Sequence, residues 1–175
     1  AEKQVDLIKK FGKDYSGLDL SGVAFKGFRS HKFDTNLKGA NFAKSNLTQA
    51  QFGSANLQGA NFQGAILHKA SFIVAHLKDA DFRGAHLQGA TFHQCKFHNA
   101  KLTKLDFSKS DISGSWFDGA DLRQAKLSGA KNMWVLSFRG ANLAHAQLQG
   151  LDLEIANFRG ADLTNANIAK AQARL

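Results

Sequence analysis

Apolar residues recur along this chain with a period of five. From Leu37 to Leu127 every fifth position is Leu, Phe or Ile, with no polar exception. Two places before each of these centres stands a small residue, usually Ala. Thr35, Ser45, Cys95, Ser110 and Ser115 are small substitutes, and within this run only Leu105 is large. After a slip of one residue the register resumes at Phe138 and continues through Leu143, Leu148, Leu153, Phe158, Leu163 and Ile168. Neither regular element can use this spacing. On a helix, positions five apart diverge by about 140°, so the apolar set would wrap all round. On a strand, odd spacing sends neighbours to opposite faces.

A chain that turns a corner every five residues does use it. Both the centre and the small residue before it then point inward, and four corners close a square coil of about twenty residues. Coils would stack at the strand spacing of about 4.8 Å, with backbone groups paired to the coil above and below. The twenty-residue offset predicts which side chains stack. Phe42, Phe62 and Phe82 fall in one column, Phe52, Phe72 and Phe92 in the opposite one, and Leu37, Leu57 and Leu77 in a third. From Phe97 the third column becomes aromatic, through Phe117, Phe138 and Phe158. These aromatic residues are expected in the core.

The ends and two irregularities stand apart. Residues 1–14 are expected to form a helical cap over the first coil, because Val5, Ile8 and Phe11 recur at helical spacing and Gly12 is a plausible stop. Residues 15–175 are expected to form the repeat region, one domain overall. The segment 25–37, "FKGFRSHKFDTNL", breaks the register, and "SGAKNMWVLSF" (128–138) carries one extra residue. A bulge is predicted near 131–135, with Trp134 packed over it or offered to a partner. No cap is visible at the C-terminal end, so a homodimer through that end is expected as an alternative to shielding by side chains.

The units "ANLQG", "ANFQG", "ADFRG", "ADLRQ", "ANLAH" and "ADLTN" resemble the pentapeptide repeat family, whose consensus is A(D/N)LXX. The likeness covers roughly residues 18–173. It implies an all-β fold: a right-handed quadrilateral β-helix of about seven to eight coils, a rod on the order of 35 Å long.

Composition narrows the chemistry. The chain has 175 residues, no Pro, 16 Gly and a formal net charge of +9. No apolar run of about 18 residues exists to span a membrane. The single Cys95 rules out an internal disulfide and is expected to be buried and inert. The seven histidines include no HExxH, and no nucleophile, base and oxyanion donors assemble, so no catalytic residue, metal or cofactor is expected. No signal peptide is visible. A cytoplasmic, soluble protein is expected, with an exported mature chain starting at Ala1 as the alternative.

What remains is surface. The column directly after one set of centres reads Lys38, Gln58, Lys78, His98, Asp118, Arg139, Arg159. The next face carries Lys44, Arg83, Lys101, Lys104 and Arg123, diluted by Asp81, Asp121 and Asp162. Exposed apolar candidates are Ile66, Ile73 and Val74, expected close together, with Trp116. The first functional reading is a non-enzymatic protein-binding or scaffold module whose partner the sequence does not name, an acidic protein face being one candidate. The resemblance implies a rival, since some family members mimic a DNA duplex, bind type II topoisomerases such as gyrase and protect them from quinolones; the positive charge opposes it. A third reading is polyanion or nucleic-acid binding through the basic stripe.

Overall fold

A computed structural model describes residues 12–25, 35–131 and 135–173. Residues 1–11 of the expected helical cap lie outside these, as do Trp134 and its neighbours at 132–133, while residues 12–14 form a turn and a bridge instead of a helix. Between the two irregular segments the chain winds in coils of twenty residues. Asn36 pairs in parallel with Asn56, Asn56 with His76, His76 with Lys96 and Lys96 with Trp116. The two named strands, β1 (Asp152–Leu153) and β2 (Gln172–Ala173), form one such parallel rung.

One repeat shows why the sequence takes this form. In Ala60–Gly64 all five backbone N–H groups are satisfied. Ala60 donates to Leu57 across the preceding turn (3.0 Å), and Asn61 donates to Ala40 in the coil before (2.9 Å). Phe62 and Gly64 donate to Asp81 (2.7 Å) and Arg83 (3.1 Å) in the coil after. The N–H of Gln63 donates to the Asn61 side-chain oxygen (3.0 Å). The Asn or Asp before each centre is therefore an Asx-turn acceptor, and the Ala before that leaves room for the inward Phe or Leu. The fifth residue sits at a turn position of positive φ, 64° at Gly64, which glycine adopts without steric cost. Small size alone is not the requirement there: Lys44, Gln49 and Val74 occupy the same place with φ of 57°, 59° and 60°.

The core is the predicted set of columns. Tyr15, Phe42, Phe62 and Phe82 stack with centroids 4.9, 5.0 and 4.7 Å apart. Phe25, Phe52, Phe72 and Phe92 follow at 5.1, 4.8 and 5.0 Å. Phe97, Phe117, Phe138 and Phe158 take over the third column at 5.0, 5.3 and 5.2 Å. Rings in neighbouring columns meet edge to face, as Phe62 and Phe72 do at 84°. Cys95 is buried in an Ala position, its thiol donating to the Phe72 carbonyl, and burial pushes that thiol's pKa up.

The irregularities fall where the register breaks. Asp14, Asp19 and Ala24 pair with Asn41, Asn46 and Gln51, an offset of 27 instead of 20, so the first coil holds an insertion between 25 and 35. Repeat geometry is thus already present at Gly12, whose φ is 59°, and at Asp14, ahead of the expected boundary at residue 15. The one-residue slip lies between Lys131, which pairs with Asp111, and Ser137, which pairs with Trp116.

A third break shows less plainly in the register. Ile66 pairs with His86 and Asp106 with Lys126, but His86 and Asp106 do not pair. Neither rung bond is made, from Leu87 N–H to Asp106 or from Asp106 N–H to Ala85. Overfilling accounts for it. Phe92, Phe97 and Phe107 put three aromatic rings around one coil where the Phe62–Leu77 coil has two, and Leu105 fills an Ala place beside them. Leu136, another large residue at an inward place, has a stretched rung of 3.3 Å from Ser137 N–H to Ser115.

Candidate interaction surface

The five-residue corner assigns every outward side chain to a column, and so to a face. Lys38, Gln58, Lys78, His98, Asp118, Arg139 and Arg159 do form one column: Gly39, Gly59, Asp79, Asn99, Gly119 and Gly140 donate in turn to the carbonyls of the last six. Lys38, Lys78, Arg139 and Arg159 are exposed and make no ion pair among the described residues. Arg139 and Arg159 stand one coil apart. Asp118, hydrogen-bonded by the Ser137 hydroxyl, interrupts the positive run.

Arg83 and Arg123 do not belong to this column, and their charge is already engaged. They lie on the next face, where each folds back on the aspartate two residues before it. The Arg83–Asp81 contact is 2.6 Å and the Arg123–Asp121 contact 2.7 Å. Lys101 also approaches Asp81, at 3.9 Å. Burial works to raise the Asp81 carboxyl, but hydrogen bonds from Arg83 and Gln63 outweigh it and hold it below its ordinary value. The Arg123 side chain lowers Asp121 likewise, against a smaller effect of burial. This face is a set of local clamps.

On the other flank of the basic column, at the corner leading into it, lies an apolar groove. Val74, Trp116 and Val135 line it with Gln94, Lys96 and Gly114, around a volume of about 390 Å³. Trp116 is 45% exposed, Val135 47% and Val74 38%. The Lys96 ammonium lies 5.5 Å from the Trp116 ring, and the His98 ring lies 6.2 Å from it. Groove and basic column therefore share one edge. Ile73 is exposed next to Val74 in sequence. Ile66 is elsewhere, on the Asn46–Ile66–His86 ladder of another face. Val135 escaped the sequence reading because the slip hides its place in the register.

Val74 is also a backbone anomaly. Its φ of 60° is left-handed, a region β-branched residues rarely adopt. Among the described residues no cluster of three or more metal-ligating side chains exists, and no helix is long and apolar enough to cross a membrane.

Residues 35–72 match the family model for pentapeptide repeats (8 copies), and residues 90–168 match the model for a pentapeptide repeat region. No curated protein matches the chain. Among solved structures, a pentapeptide repeat protein of the Arabidopsis thaliana thylakoid lumen is 31% identical, over 78% of this chain and 69% of that one, with a TM-score of 0.25. A trypsin-treated form of QnrB1, a plasmid-mediated fluoroquinolone resistance protein, is 22% identical over 92% of each chain, with a TM-score of 0.45. HetL from the cyanobacterium Nostoc, involved in regulating heterocyst differentiation, is 21% identical over 100% of this chain and 94% of its own, with a TM-score of 0.32. With family models covering both halves of the repeat run, the chain is a member of the pentapeptide repeat family.

Proposed function

We propose that this protein is a non-enzymatic binding rod that docks a protein partner at the Trp116 groove, beside the basic column. The observation that carries this reading is the coincidence of a half-exposed Trp with a strained Val at one groove. Left-handed backbone at a β-branched residue costs roughly 1–2 kcal/mol, and strain of this kind collects at functional sites. Val74 keeps an apolar side chain at a turn position where Gly would relieve it. Trp is the residue most enriched in interface hot spots. The chemistry of the edge defines the partner: an apolar side chain to enter the groove, with acidic groups placed to meet Lys78, Lys96 and Arg139.

The test is capture from extract of the source cells by wild-type protein and by Trp116→Ala, at low and high salt. A protein retained by wild type and lost with Trp116→Ala, with salt weakening but not abolishing capture, supports the reading. Equal capture by both proteins contradicts it. The duplex-mimic and polyanion readings make their own prediction on labelled DNA. A polyanion binder retains DNA with steep salt dependence, whereas a duplex mimic repels it.

A further inference from the structure

The open rung between His86 and Asp106 lies on the face opposite the basic column. A cleft of about 400 Å³ lies over it. Leu87 and Asp106 both line this cleft, and the N–H of each lacks the rung partner that the equivalent residues of neighbouring coils have. Backbone donors left without a rung partner seek another acceptor.

Basic side chains surround the gap. His68 and His86 stand with ring centroids 6.4 Å apart. Lys109 and Lys126 line the same cleft, and Lys69 borders it with Lys109 along its edge. Asp106 is the one acid, and it is spoken for: its carboxylate accepts from Ser108 N–H (2.8 Å) and lies 3.6 Å from the Lys126 ammonium. Lys109 is further distinguished by its backbone. Its turn position carries positive φ in nearly every other described repeat, and Lys109 lacks it. The corner that holds Lys109 is thus built differently from its neighbours, alongside the missing rung.

We infer that this cleft binds a phosphate-class oxyanion, held by the two freed backbone N–H groups and by Lys109, with His68 and His86 as further donors. Oxyanions are the acceptors that backbone N–H groups and ammonium groups jointly suit. A ligand here would occupy the gap that Leu105 props open, so the overfilled core and the site have one cause.

The experiment is an NMR titration of the full chain at pH 7 with inorganic phosphate, against sodium chloride at matched ionic strength. Saturating shifts of the His68 and His86 ring protons and of the Leu87 and Asp106 amides, absent with chloride, are expected. Lys109→Gln should weaken the affinity roughly tenfold, while Lys78→Gln on the opposite face leaves it unchanged. Leu105→Ala, which lets the rung close, should abolish saturation. A parallel titration with O-phosphoserine identifies the source: tighter binding than inorganic phosphate points to a phosphorylated side chain, and equal or weaker binding to the free anion. Shifts that follow chloride, or saturation indifferent to Lys109→Gln, overturn the inference. Because this cleft and the Trp116 groove lie on opposite faces, failure of one leaves the other standing.

Discussion

At the scale of the residue, each repeat position has one job, and the consensus follows from it. Asn61 supplies the acceptor for the N–H of Gln63, so Asn61→Ala should lower stability by about 1 kcal/mol in urea unfolding. Val74→Gly should do the reverse, raising stability by roughly 1 kcal/mol as left-handed strain is relieved. An unchanged or lowered stability would show that Val74 is not strained. Cys95 should stay unreactive toward thiol reagents until the chain unfolds, since it is wholly buried and its thiolate is disfavoured. The carboxylates give a pH window. The folded pKa values of Asp81, Asp121 and Asp111 lie below the ordinary 3.8. Their contribution is present above about pH 4 and lost as pH falls through the folded values. Melting temperature should therefore hold level above that pH and drop below it. The inward residues were legible in the sequence because burial fixes them. The clamps on Arg83 and Arg123 were not, since a charge two residues from an Asp reads the same whether it folds back or reaches into solvent.

At the scale of the element, the coil is a closed hydrogen-bond circuit whose weakest link is set by packing. Leu105 was visible in the sequence as the one large residue at an inward place between Leu37 and Leu127. Its consequence was not, because a broken rung depends on the combined volume of Phe92, Phe97, Leu105 and Phe107, which lie apart in the register. Leu105→Ala should cost clearly less than Leu57→Ala, for which about 2–5 kcal/mol is expected of a well-packed Leu. Hydrogen exchange should at the same time show the Asp106 amide gaining protection. A full-sized loss with no new protection would mean that Leu105 is ordinary core and that the rung is open for another reason. The same logic explains why the slip near residue 133 was legible only as an offset. Spacing located the extra residue within 128–138, with a bulge near 131–135, but did not place Val135 on the groove.

At the scale of the molecule, stacked columns make one continuous core, and the four faces divide the surface by chemistry. Phe62→Asp should abolish cooperative folding, because it puts a charge into a dry stack. Trp116→Ala should leave the melting temperature nearly unchanged, as its ring is half in solvent. The fold was therefore legible from the five-residue period, whereas the docking face depended on which columns share an edge. The central claim is that the partner meets the corner of Val74, Trp116 and Val135. The most direct measurement places a photo-crosslinking residue at Gln94, beside the groove, or at Gln124, on the opposite corner, in source-cell extract. One protein crosslinked from Gln94 and absent from Gln124 is the predicted result. Crosslinks of equal yield from both positions, or none from Gln94 where Gln124 gives them, would contradict the claim.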